Sequence, residues 1–158
     1  MTKVVTKISK DGPESGFLAA EYNQVAKVAE LAAINLIKVR SDFSHSAGID
    51  EKTKLSFGRK VISGGFDADQ SAARAVFQYF VKGTRSGKSI FSISADYAVV
   101  YITKGEVAPN AAKAFVHNVG VFAAYAYFRA LAAHLAWSAN LELPPLPTIA
   151  TQAYRPKE

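Results

Sequence analysis

The sequence predicts an α+β domain: a four-stranded antiparallel sheet with a long C-terminal helix packed on one face, and an N-terminal helix before the sheet. Three observations predict it. Apolar residues alternate with polar ones through much of residues 37–104. Before and after that span they recur at three- and four-residue steps. The strands form one group ahead of an alanine-rich stretch, the order in which helices gather on one face of an antiparallel sheet.

Residues 1–15 are polar and broken by Gly12 and Pro13. They read as a flexible arm ahead of a single domain over 16–149, with 150–158 as a flexible tail. From Phe17, the residues Leu18, Tyr22, Val25, Ala29 and Ala32 share one helical face, and the helix is expected to end near Leu31. The period then falls to two. Ile37, Val39, Ser41 and Phe43 alternate with Lys38, Arg40 and Asp42, which predicts a half-buried strand with one wet, basic face. A polar loop over 44–53 follows.

A second strand is expected over 54–66, where Gly58 and the Gly64–Gly65 pair mark a bulge or sharp twist. A third covers 74–82, with a hairpin loop over 83–87. The fourth covers 88–104, and Phe91, Ile93, Ala95, Tyr97, Val99 and Tyr101 share one of its faces. Pro109 suits the first turn of the last helix, where a backbone donor is idle. That helix is expected to reach Ala139, with Gly120 dividing it into a short and a long piece. Pro144, Pro145 and Pro147 bar any continuation.

The composition excludes several kinds of chemistry. There are no cysteines, so there are no disulfides, thiolate zinc sites or cysteine nucleophiles. The three histidines, His45, His117 and His134, have no second ligand at helical spacing, and no metal site is expected. The run 83–89 resembles a phosphate-binding loop but has one residue too few between its glycines and feeds a strand. Asp67-Ala68-Asp69 begins like a calcium loop, but Ala72 and Gln78 stand where glycine and glutamate are required. No nucleophile elbow is present. Asp96, on a strand face near Lys38 and Arg40, reads as a solvated ion-pair partner. No catalytic residue and no cofactor are expected, and the chain is read as not an enzyme. The longest apolar run, 119–128, is half of what a bilayer needs, and no signal-peptide core is seen. A cytoplasmic protein without membrane insertion is expected. The formal net charge of +6 permits an acidic partner or nucleic acid without naming one.

Ten Phe and seven Tyr are the unusual feature. On the third strand Phe77 and Tyr79 face one way and Phe80 the other, and one helix-bearing face cannot cover both sets. Sister subunits or the apolar side chains of other proteins are then the candidates to cover the rest. The candidate groove residues are Phe43, Phe57, Phe77, Tyr79, Phe91, Tyr97 and Phe122, with Leu143, Leu146 and Ile149 from the proline-rich segment.

Three stretches carry a family resemblance: His117-Asn118-Val119-Gly120-Val121-Phe122, then Tyr125-Ala126-Tyr127-Phe128-Arg129-Ala130-Leu131, then Leu141-Glu142-Leu143-Pro144-Pro145-Leu146-Pro147-Thr148-Ile149. Together they resemble the C-terminal part of SecB-type chaperones. The resemblance spans about residues 32–149 and implies hydrophobic grooves that hold unfolded polypeptide without ATP. It also implies a homo-oligomer, dimer or tetramer, built through the long helix. The client is a protein for export, or a dedicated one such as an antitoxin. The family docks the export motor through acidic residues. Here Lys38, Arg40, Lys54, Arg59 and Lys60 are read as lying on the sheet edge and outer face, which does not suit that docking. Two alternatives stay open: a basic module binding single-stranded nucleic acid, and a purely structural homo-oligomer.

Overall fold

The computed structural model describes residues 16–44 and 48–149 and the backbone of 5–8. His45, the rest of the arm and the tail from 150 lie outside the described residues. The elements are β1 (Val5–Ile8), α1 (Ala19–Val28), β2 (Ala29–Phe43), β3 (Lys54–Asp67), β4 (Ala72–Arg85), β5 (Lys88–Thr103) and α2 (Pro109–Ser138). The four long strands are antiparallel, as expected, and lie in the order β3-β4-β5-β2, with β2 crossing over to pair with β5. β1, to which the sequence analysis assigns no element, adds in parallel to the free edge of β3.

The largest departure is at the start of β2. Helix α1 ends at Val28, not near Leu31, because Ala29 turns extended and begins a 15-residue strand. Ala29 to Leu36 are mostly good helix formers, so local preference points the wrong way, and pairing with β5 overrides it. The ladder slips between Leu31 and Ala33 and again between Leu36 and Lys38. Those two bulges erase the strict alternation that marks a strand in a sequence. Beyond them, Val39, Ser41 and Phe43 pair with Ala95, Ile93 and Phe91 on the helix-bearing face, and Lys38, Arg40 and Asp42 face outward as expected.

The hairpin between β4 and β5 is tighter than predicted. The strands run through Thr84 and Arg85, and the turn is Ser86-Gly87, both at positive φ. That is the two-residue turn whose twist matches its flanking strands.

Helix α2 is unbroken, against the expected division at Gly120. Gly120 is a point of close approach: a Cβ there would meet the ring of Phe77 at 3.1 Å and Val99 at 3.3 Å. The missing side chain lets the helix settle onto the sheet, and this packing outweighs the propensity cost of about 1 kcal/mol. At the far end Asn140 takes the left-handed conformation. The amides of Asn140 and Leu141 then donate to the carbonyls of Trp137 and Ala136, both at 2.9 Å. This Schellman closure sends Leu141 into the core and turns the proline-rich segment back along the helix.

By length and composition α2 passes the test for a membrane span. Its sheet-facing side is nevertheless buried: Val121, Ala124, Tyr125, Phe128, Ala132 and Ala136 pack on the inner rows of β4 and β5. The Tyr79 hydroxyl donates to the Val121 carbonyl at 2.6 Å, and its ring stacks on Phe128 at 5.5 Å. The Tyr125 hydroxyl donates to the Pro147 carbonyl at 2.6 Å, tying the proline-rich segment to α2.

Candidate functional site

The strand faces sort the predicted groove residues into two groups. Phe77, Tyr79, Phe91 and Tyr97 point inward from β4 and β5 and are at most 4 % exposed, and Leu146 is buried beside α2. All five belong to the core, and Leu146 also lines the cleft beside α2. The four rings hold central inner-face positions, which a covering helix claims first. Phe43, Phe57, Phe122, Leu143 and Ile149 are partly exposed around the rim of that core.

The fold brings most of the second group to one side. Phe57 sits on the helix-facing side of β3, in register with Val81. Arg59 follows on the same side, its guanidinium 5.8 Å from the centroid of the Phe122 ring on α2. The proline-rich segment, held by the Tyr125–Pro147 hydrogen bond, brings Leu143 to this helix as well. Between them lies a shallow cleft of about 390 Å³, lined by Ala126, Arg129, Ala130, Ala133 and residues 143–146. Phe43 belongs elsewhere, on β2 at the other edge of the sheet.

The exposed apolar surface is chiefly aliphatic and lies where the sequence analysis did not place it. Leu31, Leu36 and Val39 pair with Tyr101, Tyr97 and Ala95, on the helix-bearing face of β2. They are exposed because α2 lies over β3, β4 and β5 and leaves this edge strand bare. Ile37, at the second bulge, is 57 % exposed. Tyr127 and Trp137 stand on the outward side of α2, and Trp137 is 81 % exposed. Reading 29–31 as the end of a helix hid the β2 row, and the bulges removed the alternation that would have shown it.

Arg59 is a second correction. It was expected with the outward basic residues, but its register opposite Tyr79 places it on the inner face. Nη1 is buried and has no hydrogen-bond partner among the described residues. Leaving such a donor unsatisfied costs about 1–3 kcal/mol. The hydroxyls of Tyr79 and Tyr125 donate to carbonyls and accept nothing from Nη1, and α2 contains no Asp or Glu at all. The three ion pairs of the described residues, Arg74–Asp67, Arg85–Asp50 and Lys104–Glu30, lie elsewhere.

Burial pushes the Tyr79 phenol far above its ordinary range, and it raises those of Tyr97, Tyr101 and Tyr125 as well. His117 is held below the usual imidazole value, first by burial and then by Lys113. Its Nε2 is also buried without a partner, seated against Gly64, where any Cβ would overlap the ring. Among the described residues no three His, Asp or Glu side chains gather as a metal site would require. On the outward face Asp96 stands in register with Lys38 and accepts a hydrogen bond from Gln78 at 2.8 Å.

No family model and no curated protein matches the chain. Its fold matches a solved structure of the Mycobacterium tuberculosis Rv1957 SecB-like chaperone, in complex with a ChAD peptide from the Rv1956 HigA1 antitoxin. The TM-score is 0.72, and the match covers 84 % of this chain and 98 % of that one at 16 % identity. At that identity the likeness is one of fold.

Proposed function

We propose that this chain is an ATP-independent holdase that binds non-native polypeptide along the rim between β3, α2 and the proline-rich segment. The observation that carries the reading is the half-covered apolar rim of Phe57, Phe122, Leu143 and Ile149 around a finished core. An apolar surface left open beside a packed core suits a ligand that is itself apolar and extended. Partly exposed rings offer such a ligand large contact area while demanding little of its sequence. The fold shared with a SecB-like chaperone supports the same reading, and the antitoxin peptide in that complex favours a dedicated client over a general export role.

The bare row on β2 has a different proposed occupant, a second copy of this chain. Among the described residues β2 is the end strand of the sheet with its outer edge unpaired, and that edge beside Leu31, Leu36 and Val39 fits symmetric antiparallel pairing across a two-fold axis. The proposed setting is the cytoplasm. The nucleic-acid alternative is less well supported. The outward sheet face offers Phe80 as a stacking ring among Lys38, Arg40, Lys60 and Lys82, with no second aromatic beside it.

The test is suppression of aggregation. At stoichiometric excess and without nucleotide, the purified chain is expected to keep a chemically unfolded test protein from scattering light. Scattering unchanged from that of the test protein alone contradicts the proposal.

A further inference from the structure

We infer that Arg59 is a carboxylate-receiving group in the groove, so that the chain prefers extended apolar segments carrying an internal Asp or Glu. This rests on the polypeptide-binding reading above and adds a chemical preference to it.

Arg59 projects from the inner face of β3 between Tyr79 in register on β4 and Phe122 above it on α2. The nearby hydroxyls of Tyr79 and Tyr125 donate to backbone carbonyls, and neither phenol oxygen accepts a hydrogen bond from Nη1. The Phe122 ring favours the cation electrostatically but takes no hydrogen bond of the kind a guanidinium fork is shaped to make. An arginine that merely covers apolar surface keeps its charged end in water. Here Nη1 is buried, so that explanation does not account for it.

The wider surroundings point the same way. Arg129 lines the adjoining cleft and, like Arg59, acts electrostatically on Tyr125. The groove therefore carries two cations, and the helix that walls it carries no anion. A guanidinium with a desolvated, unpartnered donor is matched by a carboxylate, and charge-assisted hydrogen bonds are roughly twice as strong as neutral ones. The apolar rim of Phe57, Phe122 and Leu143 sets the rest of the occupant's chemistry: an apolar or aromatic segment in which the acid is embedded.

The experiment uses a labelled apolar-aromatic peptide, acetylated and amidated at its ends, with a single central Glu, and its Gln twin. Binding is read by fluorescence anisotropy on the full chain and on Arg59→Met and Arg59→Lys. Wild type is expected to bind the Glu peptide about tenfold more tightly than the Gln peptide. Arg59→Met is expected to abolish that preference, so that the two peptides bind alike, and Arg59→Lys to retain part of it. Equal binding of both peptides by wild type, with binding intact, overturns the inference and leaves the holdase reading standing. If neither peptide binds, the holdase reading fails and this inference with it. If a Gln peptide with a free C-terminal carboxylate alone reproduces the gain, the site takes chain ends and the internal-acid preference is wrong. Denaturant unfolding separates a structural role: Arg59→Met is expected to be as stable as wild type or more so, and a clear loss of stability overturns the assignment.

Discussion

Single residues show where this chain departs from a simple packed core. His117 and Arg59 both present buried nitrogen donors or acceptors without partners among the described residues. For His117 the consequence is a pH dependence of stability. Its imidazole titrates below the ordinary value in the folded chain, so the unfolded chain binds the proton more tightly. The contribution is complete above the unfolded value of about 6.5 and is lost as the pH falls below it. Denaturant unfolding at a series of pH values should show stability falling from pH 7 toward 5.5, with a smaller fall in His117→Gln. The same slope in both proteins contradicts this role for His117. The partial legibility of the candidate site also belongs to this scale. Phe57, Phe122, Leu143 and Ile149 were identifiable as apolar residues of a strand, the long helix and the proline-rich segment, and all four are partly buried against the core. Phe77, Tyr79, Phe91 and Tyr97 were indistinguishable from them in sequence, since alternation reports a face and not how much of it a helix covers. The inward turn of Arg59 was hidden for a related reason. A charged residue in an alternating strand reads as outward, and only the register opposite Tyr79 reverses that.

At the scale of elements, the sequence is most informative where local preference and tertiary packing agree. β3, β4, β5 and the ends of α2 fall within a few residues of expectation. Disagreement concentrates at the α1–β2 junction and at Gly120. In the first case pairing with β5 converts a helix-favouring run into strand. In the second, close packing on Phe77 and Val99 keeps a glycine inside a continuous helix. The β2 strand matters most for assembly, because it presents an unpaired edge and an uncovered aliphatic row together. Light scattering after size-exclusion chromatography is expected to give at least twice the chain mass for wild type. Leu36→Glu combined with Val39→Glu should reduce it to that of one chain while leaving the circular dichroism spectrum intact, since both side chains lie outside the core. A wild-type monomer contradicts the assignment of this row to a second copy.

The whole molecule is an unequal sandwich in which one five-stranded sheet carries one long helix, and the helix covers β3, β4 and β5 and leaves β2 largely bare. That geometry explains the core and the residue of uncovered apolar surface by the same cause, the width of a helix against the width of a sheet. An α-helix with its side chains is about 10–12 Å across. Four strands at about 4.8 Å spacing are wider than that. The β2 row is thus left bare on one side, and on the other Phe57 of β3 stays half-covered at the border of α2 and the proline-rich segment. The central claim is that the β3 margin receives polypeptide. Site-specific photocrosslinking tests it most directly, with a photoreactive phenylalanine in place of Phe57, Phe122 or Leu143, and of Ser94 on the outward face as the control. With a permanently unfolded test protein, the three rim positions should crosslink and Ser94 should not. Crosslinks confined to Ser94, or none at any rim position, would contradict the account.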